Sequence, residues 1–232
     1  MTQAPHWAVE PVRHGDAAAR EVVAGLHRQL LDFGPMARLG TRFLRDFCYG
    51  TLLRDGLLAA AIGRVDGVPA GFVAWTSRAV SFHASALGRH PVAVPLFALR
   101  SVLGEKRPVA RIAEAVRLTL ARGSERLHGE DPMAEVLAIG VLPEFASPAF
   151  VRQSGLRVSE LLVRHCAEEF MRQGFGSMRM IVDADNRAAI LFYHVLGARI
   201  RPYEKAQRPS VEVRFDVREL ATVAPSGDGA GR

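Results

Sequence analysis

The sequence predicts an α/β (α+β) fold, and three observations carry that prediction. Two apolar runs, Leu57 to Val65 and Val68 to Thr76, are joined by Asp66-Gly67, a pair that suits a tight antiparallel turn because both central residues need positive φ. Residues 134–203 then alternate between short apolar runs and segments of helical period. Finally, 49% of the 232 residues are apolar and 23% charged, enough to build a core, with no uninterrupted apolar run of about 20 residues that would cross a membrane.

The elements follow in order. Trp7 to Val12 reads as a short extended stretch. Ala17 to Leu31 reads as a helix, with Val22, Val23, Leu26, Leu30 and Leu31 at helix-face spacing, and Pro35 to Tyr49 as a second, with Met36, Leu39, Phe43, Leu44 and Phe47. The Asp-Gly hairpin comes next. Residues 77–131 break the pattern, with Pro91 and Pro95 interrupting an apolar segment and a mixed helical stretch from Arg111 to Leu127. This insertion holds nine basic and five acidic residues, a surplus of +4.

Ala134 to Leu142 then reads as a strand, Gly155 to Gln173 as a helix and Ser177 to Val182 as a strand. Arg187 to Leu196 reads as a short helix capped by Asp185 or Asn186 and stopped by Gly197. Ala198 to Tyr203 and Val211 to Val217 close the sheet. Residues 221–232, rich in small residues, Gly and Pro, read as a disordered tail.

Charge by itself points nowhere in particular. The net charge is +6, but 28 of the 30 basic residues are arginine and they are scattered among acids, so no nucleic-acid partner is expected. Cys48 and Cys166 form no disulfide framework. With no apolar signal segment at the N-terminus, a cytoplasmic protein without a membrane partner is expected. Phosphate-loop, zinc-helix, nucleophile-elbow and dinucleotide-turn motifs are all absent, and no metal is expected. His165 beside Cys166 is the one His/Cys neighbour pair, and on an apolar helix face it reads as packing.

Two stretches carry chemistry. Arg152-Gln153-Ser154-Gly155-Leu156-Arg157 stands before a helix, where backbone N–H groups form an anion site, a glycine permits close approach and arginines can bond phosphate. Asn186, Ala189, Tyr193 and Gly197 match the signature N-x-x-A-x-x-x-Y-x-x-x-G-F. That signature, with Arg152 and Gly155 fitting the motif [QR]-x-x-G-x-[GA], resembles the Gcn5-related N-acetyltransferase (GNAT) superfamily, specifically members with a helical insertion between the third and fourth strands. The resemblance is clear from about Glu135 to Tyr203 and weaker over the hairpin. Arg157 replaces a small residue, six residues are added between Phe145 and Arg152, and Ala198 stands where Phe is usual.

The resemblance implies a mixed, mostly antiparallel twisted sheet flanked by helices, formed as one domain over residues 1–220. It implies acetyl-CoA as co-substrate and transfer of its acetyl group to a primary amine by direct attack in a ternary complex. Ile139, Val141, Arg152, Gly155, Leu156, Arg157, Asn186 and Tyr193 would bind the coenzyme. Tyr193 would be the general acid, and Glu135, followed by Glu144, the candidate base. A small-molecule amine, such as a nucleotide-linked amino sugar, is the expected acceptor, and a protein or peptide amine is an alternative. The insertion would shape the acceptor pocket, form a homodimer contact or simply cover the core. A non-catalytic coenzyme A sensor is the second functional reading, kept open by Arg157.

Overall fold

The computed structural model describes residues 5–32, 34–79, 81–92, 96, 133–204 and 208–222. Asp66 and Gly67 take φ values of 50° and 78°, as a two-residue hairpin turn requires. Around that turn β2 (Ala59–Val65) and β3 (Val68–Thr76) pair antiparallel, and β1 (Trp7–Pro11) adds to the outer edge of β2. On the other side β4 (Ala134–Val141) pairs antiparallel with β3, and β5 (Ser177–Asp183) runs parallel to β4. Two more strands, β6 (Arg199–Tyr203) and β7 (Ser210–Asp216), complete a sheet ordered β1-β2-β3-β4-β5-β7-β6 among the described residues.

Alternation along the strands gives the sheet two apolar faces. Helix α1 (Ala17–Leu30) starts where the Asp16 side chain accepts from the Ala19 N–H at 2.9 Å. It buries Val23, Ala24 and Leu26 in one cluster with Ile62, Phe72 and Ala74. Gly140 of β4 belongs to the same contact: a Cβ there would lie 2.9 Å from Leu30 Cδ1 and 3.2 Å from Phe72 Cε1, so its lack of a side chain lets α1 rest on the strand. Later in the chain come α4 (Pro143–Ala146), α5 (Pro148–Ser154) and α6 (Val158–Arg172). Helix α6 covers the opposite face, where Val158, Leu162, Val163, Cys166 and Phe170 pack with Val73, Trp75, Val136, Met178 and Met180. Each such apolar side chain contributes about 1.5–3 kcal/mol by leaving water, which makes these two layers the main source of stability.

Several elements depart from the expected bounds. The helix expected over Pro35 to Tyr49 is two elements, α2 (Pro35–Arg38) and a π-helix (Phe43–Leu52), separated at Gly40, whose φ of 98° interrupts the helical path. The helix expected from Gly155 begins at Val158, because Gly155 adopts φ 71° as the C-terminal cap of α5. The six added residues, 146–151, are taken up by the end of α4, Ser147 and the first turn of α5. After β5, helix α7 (Arg187–Val195) stands close to its expected bounds. The tail is shorter than expected: Ala221 and Thr222 belong to α8 (Val217–Thr222), anchored by buried Val217 and Leu220, and 223–232 lie outside the described residues. Of the insertion, α3 (Phe82–Arg89) is helical and buries Phe82 and Ala86 against the α1 layer. The helical stretch expected over Arg111 to Leu127 lies outside the described residues.

Candidate functional site

The site is built around a divergence of β4 and β5. These strands pair only at Ala134 with Met178 and Glu135 with Arg179. Beyond that point β4 continues to Val141 held by β3, while β5 continues to Asp183 held by β7. Between them opens a wedge whose two walls make no ladder with each other, leaving backbone donors and acceptors available for a ligand. The cause lies in β4 itself. Ala74 pairs with Ala138 and Trp75 with Val136, so Leu137 is an extra residue, a β-bulge that bends the strand where the wedge begins. Downstream of the bulge Ile139 and Val141 are half-buried with the α6 cluster.

The loop leading to α6 lies at the same end of the molecule. Phe145 and Phe150 meet edge-on with centroids 5.3 Å apart, and both pack with Ile139, Val141 and Leu156 in one cluster, so α4 and α5 are tied to β4. The Gly155 N–H bonds the Val151 carbonyl at 2.8 Å and the Leu156 N–H bonds Ser154 Oγ at 3.1 Å. Those two donors are thus committed within the loop. The N–H groups of Arg157, Val158 and Ser159 have no partner among the described residues, and the N-terminus of the 15-residue α6 has no side-chain cap. Arg152 and Arg157 are exposed on either side of Gly155.

Tyr193 points from α7 into the apolar layer, where it is 5% exposed and shares a cluster with Ile139, Val141, Met180 and Val182 of the two wedge strands. Burial, with a smaller contribution from Cys166, pushes its phenol well above the usual value, so it holds its proton. Asn186 caps α7 by accepting from the Ala189 N–H at 3.1 Å. Glu144 stands exposed in α4. Glu135, at the closed end of the wedge, accepts from Arg179 Nε at 2.9 Å. Burial works against the Arg179 charge, but Glu135, with Tyr203 and Glu212 behind it, outweighs that and raises the guanidinium above its ordinary value. Burial likewise raises both thiols, Cys48 to about 12, which disfavours the thiolate a nucleophile would need. Among the described residues no group of His, Cys, Asp and Glu comes together that could hold a metal ion, and no helix is long and apolar enough to cross a membrane.

No family model matches the sequence, and no curated protein matches it. Solved structures do. The aminoglycoside acetyltransferase AAC(6')-Ib, in complex with ribostamycin and coenzyme A, superposes with a TM-score of 0.56 over 95% of this chain and 98% of its own, at 13% identity. A putative acetyltransferase of the GNAT family from Desulfovibrio desulfuricans aligns at TM-score 0.51 over 91% of this chain and 99% of its own, at 11% identity. The chain has the GNAT fold. NAA60 from Arabidopsis thaliana, in complex with acetyl-CoA, shows the same architecture at TM-score 0.50 and 15% identity, over 92% of this chain and 99% of its own. At these identities the likeness is one of fold.

Within the GNAT fold, the sheet brings Tyr193, Ile139 and Val141 into one cluster, and the α5–α6 loop joins them through Leu156. Glu144 and Asn186 stand outside that cluster, on the exposed first turn of α4 and at the cap of α7. Sequence reasoning missed Leu137, because a bulge leaves no mark in a run of apolar residues. It also missed Arg179, Glu212, Arg199 and Arg201, for which a signal was present: Arg199–Tyr203 and Ser210–Asp216 place charges at alternate positions, and Ser177–Asp183 places Arg179 and Asp183 four apart on one face, the mark of a polar strand face.

Proposed function

We propose that this chain is an acetyl-CoA-dependent N-acetyltransferase that acts on a primary amine in a ternary complex. The observation that carries the reading is the wedge between β4 and β5, with an uncapped helix N-terminus nearby in the chain and a buried, protonated tyrosine in its apolar wall. Bound acetyl-CoA supplies an acyl group activated as a thioester. The backbone of Ala138 to Val141, freed from β5, would hold the acyl-bearing arm and present N–H groups to developing negative charge. Ile139 and Val141, packed in the α6 cluster, would line the apolar side of that arm. The N–H groups at the start of α6, with Arg152 and Arg157, would hold phosphate, the glycine at 155 allowing the loop to turn close to it.

The transfer takes two protons off the nitrogen, one before and one after attack, and puts one on the sulfur. An alkylamine is mostly protonated near neutral pH and must lose a proton before it attacks. Glu135, at the closed end of the wedge, is the first candidate to accept it, directly or through water, and Glu144 the second. As the adduct collapses and its C–S bond breaks, Tyr193 would give its Oη proton to the departing sulfur and be restored by the second proton shed from the nitrogen, directly or through water, while Asn186 would bond the bound arm or the nearby backbone. No covalent enzyme intermediate is needed, in keeping with two thiols held protonated by burial.

Two measurements test the reading. Calorimetric titration with acetyl-CoA should show saturable binding at a single site. Thiol release from acetyl-CoA, followed against amino sugars, polyamines, amino acids and peptide N-termini, should rise above background hydrolysis with at least one amine. Absence of acetyl-CoA binding sinks the proposal, and binding without transfer to any amine favours a coenzyme A sensor instead.

A further inference from the structure

We infer that the charged face of β5, β7 and β6 anchors the acceptor, and that the acceptor is an amine carrying a carboxylate or phosphate group. The inference rests on the acetyl-transfer reading for the position of the reacting amine. Its other support is the sheet register. Thr76, Glu135, Arg179, Arg214 and Arg199 are successive cross-strand partners from β3 to β6, and so form one row on one face. In the next row stand Ile181, Glu212 and Arg201. The opposite face of the same strands is apolar, with Met178, Met180, Val213 and Phe215 in the α6 layer.

Direction of approach follows from packing. The apolar face of the wedge is filled by α6 and Tyr193. On the other face, α1 and the π-helix cover β2 and β3. An amine reaching Glu135 among the described elements therefore comes across β5, β7 and β6. There a groove of about 200 Å³ is lined by Arg199, Ile200, Arg201, Glu212 and Arg214.

The charge balance of the two central rows favours an anion. Among the described residues those rows hold four guanidinium groups, of Arg179, Arg199, Arg201 and Arg214, and two carboxylates, of Glu135 and Glu212, while Asp183 and Asp216 flank them on the same face, Asp216 accepting from the Arg218 and Glu219 N–H groups. Glu212 is 3% exposed and serves as a hub: it accepts from Arg201 Nε at 3.1 Å and Arg214 Nε at 3.0 Å, with Arg179 Nη1 3.8 Å from its other oxygen. One buried carboxylate thus holds several guanidiniums in fixed places, which reduces the side-chain entropy a ligand must remove. The Arg199 side chain is exposed and makes no hydrogen bond or ion pair among the described residues. A planar guanidinium fork matches both carboxylate and phosphate oxygens. With strands about 4.8 Å apart, β7 and β6 lie about 7 and 12 Å from the middle of the closed end of the wedge. The amine and the anion of the acceptor are separated on that scale, and a polycationic amine is disfavoured.

Matched acceptors test this. Glucosamine 6-phosphate is compared with glucosamine, and 6-aminohexanoate with 6-aminohexanol, by calorimetric binding to the protein with and without acetyl-CoA and by thiol-release kinetics. The expected result is binding of at least one anionic probe at least tenfold tighter than its neutral partner, with the preference reduced at least tenfold in Arg199→Gln and in Arg199→Gln/Arg214→Gln. The Arg199 side chain has no described partner, so its single variant keeps the result interpretable if the double variant unfolds. Equal binding of both members of each pair, failure of both anionic probes to bind, or a preference that survives Arg199→Gln overturns the inference. Those outcomes leave the acetyltransferase reading intact if acetyl-CoA still binds. Conversely, arginine-dependent anion binding in a protein that does not bind acetyl-CoA retains the anion site and removes the transferase reading.

Discussion

His27 Nδ1 of α1 and the phenol oxygen of Tyr49 in the π-helix lie 2.7 Å apart, in the apolar layer where the His27 ring stacks on Phe72 at 5.3 Å. The pair joins two elements that cover the same sheet face. A solvated histidine would be half protonated near pH 6.5, but burial lowers the His27 pKa to about 4. The folded protein therefore binds fewer protons than the unfolded chain between those values. Stability from this residue is fully present above pH 6.5 and is lost as pH falls toward 4. The shift corresponds to about 3 kcal/mol. Urea unfolding at pH 7.5 and pH 4.5 should show a loss of that order in the native protein and a clearly smaller loss in His27→Gln, which has no group to titrate.

A second buried polar contact fastens α6 to α8. Arg164 donates through Nε and Nη2 to Glu160 Oε1 at 2.9 and 2.8 Å, and through Nη1 to the Leu220 carbonyl. Glu160 is 1% exposed. Removing it takes the buried carboxylate away from the Arg164 guanidinium, which costs about 3–5 kcal/mol. Thermal unfolding of Glu160→Ala should reveal a loss of that size, and replacing both residues with apolar side chains should recover much of it. Equal losses for the single and double changes would contradict the assignment.

Gly140 makes a sterically sharper case. A Cβ at that position would lie 3.0 Å from Leu30 Cβ as well as 2.9 Å from Leu30 Cδ1, so α1 must shift to admit one. Gly140→Ala should destabilise by about 1–3 kcal/mol through overpacking, and Leu30→Ala in the same chain should relieve part of the loss. Denaturant midpoints of the single and double variants measure the coupling directly.

The proton-donor role of Tyr193 has a kinetic signature. Tyr193→Phe keeps the ring that packs with Phe215 and Phe192 and removes only the hydroxyl. We expect kcat to fall by about 10²–10⁴-fold, in the range of general acid–base contributions, while the KM for acetyl-CoA changes little. Full turnover in a folded Tyr193→Phe protein would remove Tyr193 from the mechanism.

At Gly155 the test concerns the backbone. Its φ of 71° is one that a β-branched residue adopts only with strain, at a cost of about 1–3 kcal/mol. Gly155→Val should distort the entrance to α6 and weaken acetyl-CoA binding by about tenfold or more, read by calorimetry. Unaltered affinity would show that this turn does not hold the coenzyme.

Much of this architecture was legible from local chemistry. Asp66-Gly67 specified its turn because only a few residue types tolerate positive φ, and Asn186 specified the start of α7 through a side chain that bonds the backbone three residues on. Helix bounds were less legible near Gly40 and Gly155, where a glycine in the left-handed region reads from sequence as a tolerated interior residue or a helix start. No helix was legible between Leu142 and Arg152 because α4 and α5 are too short to show a period.

By itself, then, the sequence determined which segments could be strands and helices, where the hairpin turned, and which residues could serve coenzyme and proton chemistry, because those properties depend on neighbours a few positions away. Only the tertiary structure decided that Leu137 bulges, that β4 and β5 part after Glu135, and that charges from four strands share one row. Those features depend on register between residues far apart in the chain. A period-two pattern shows that a strand has a polar face, but pairing alone sets which charges meet across it.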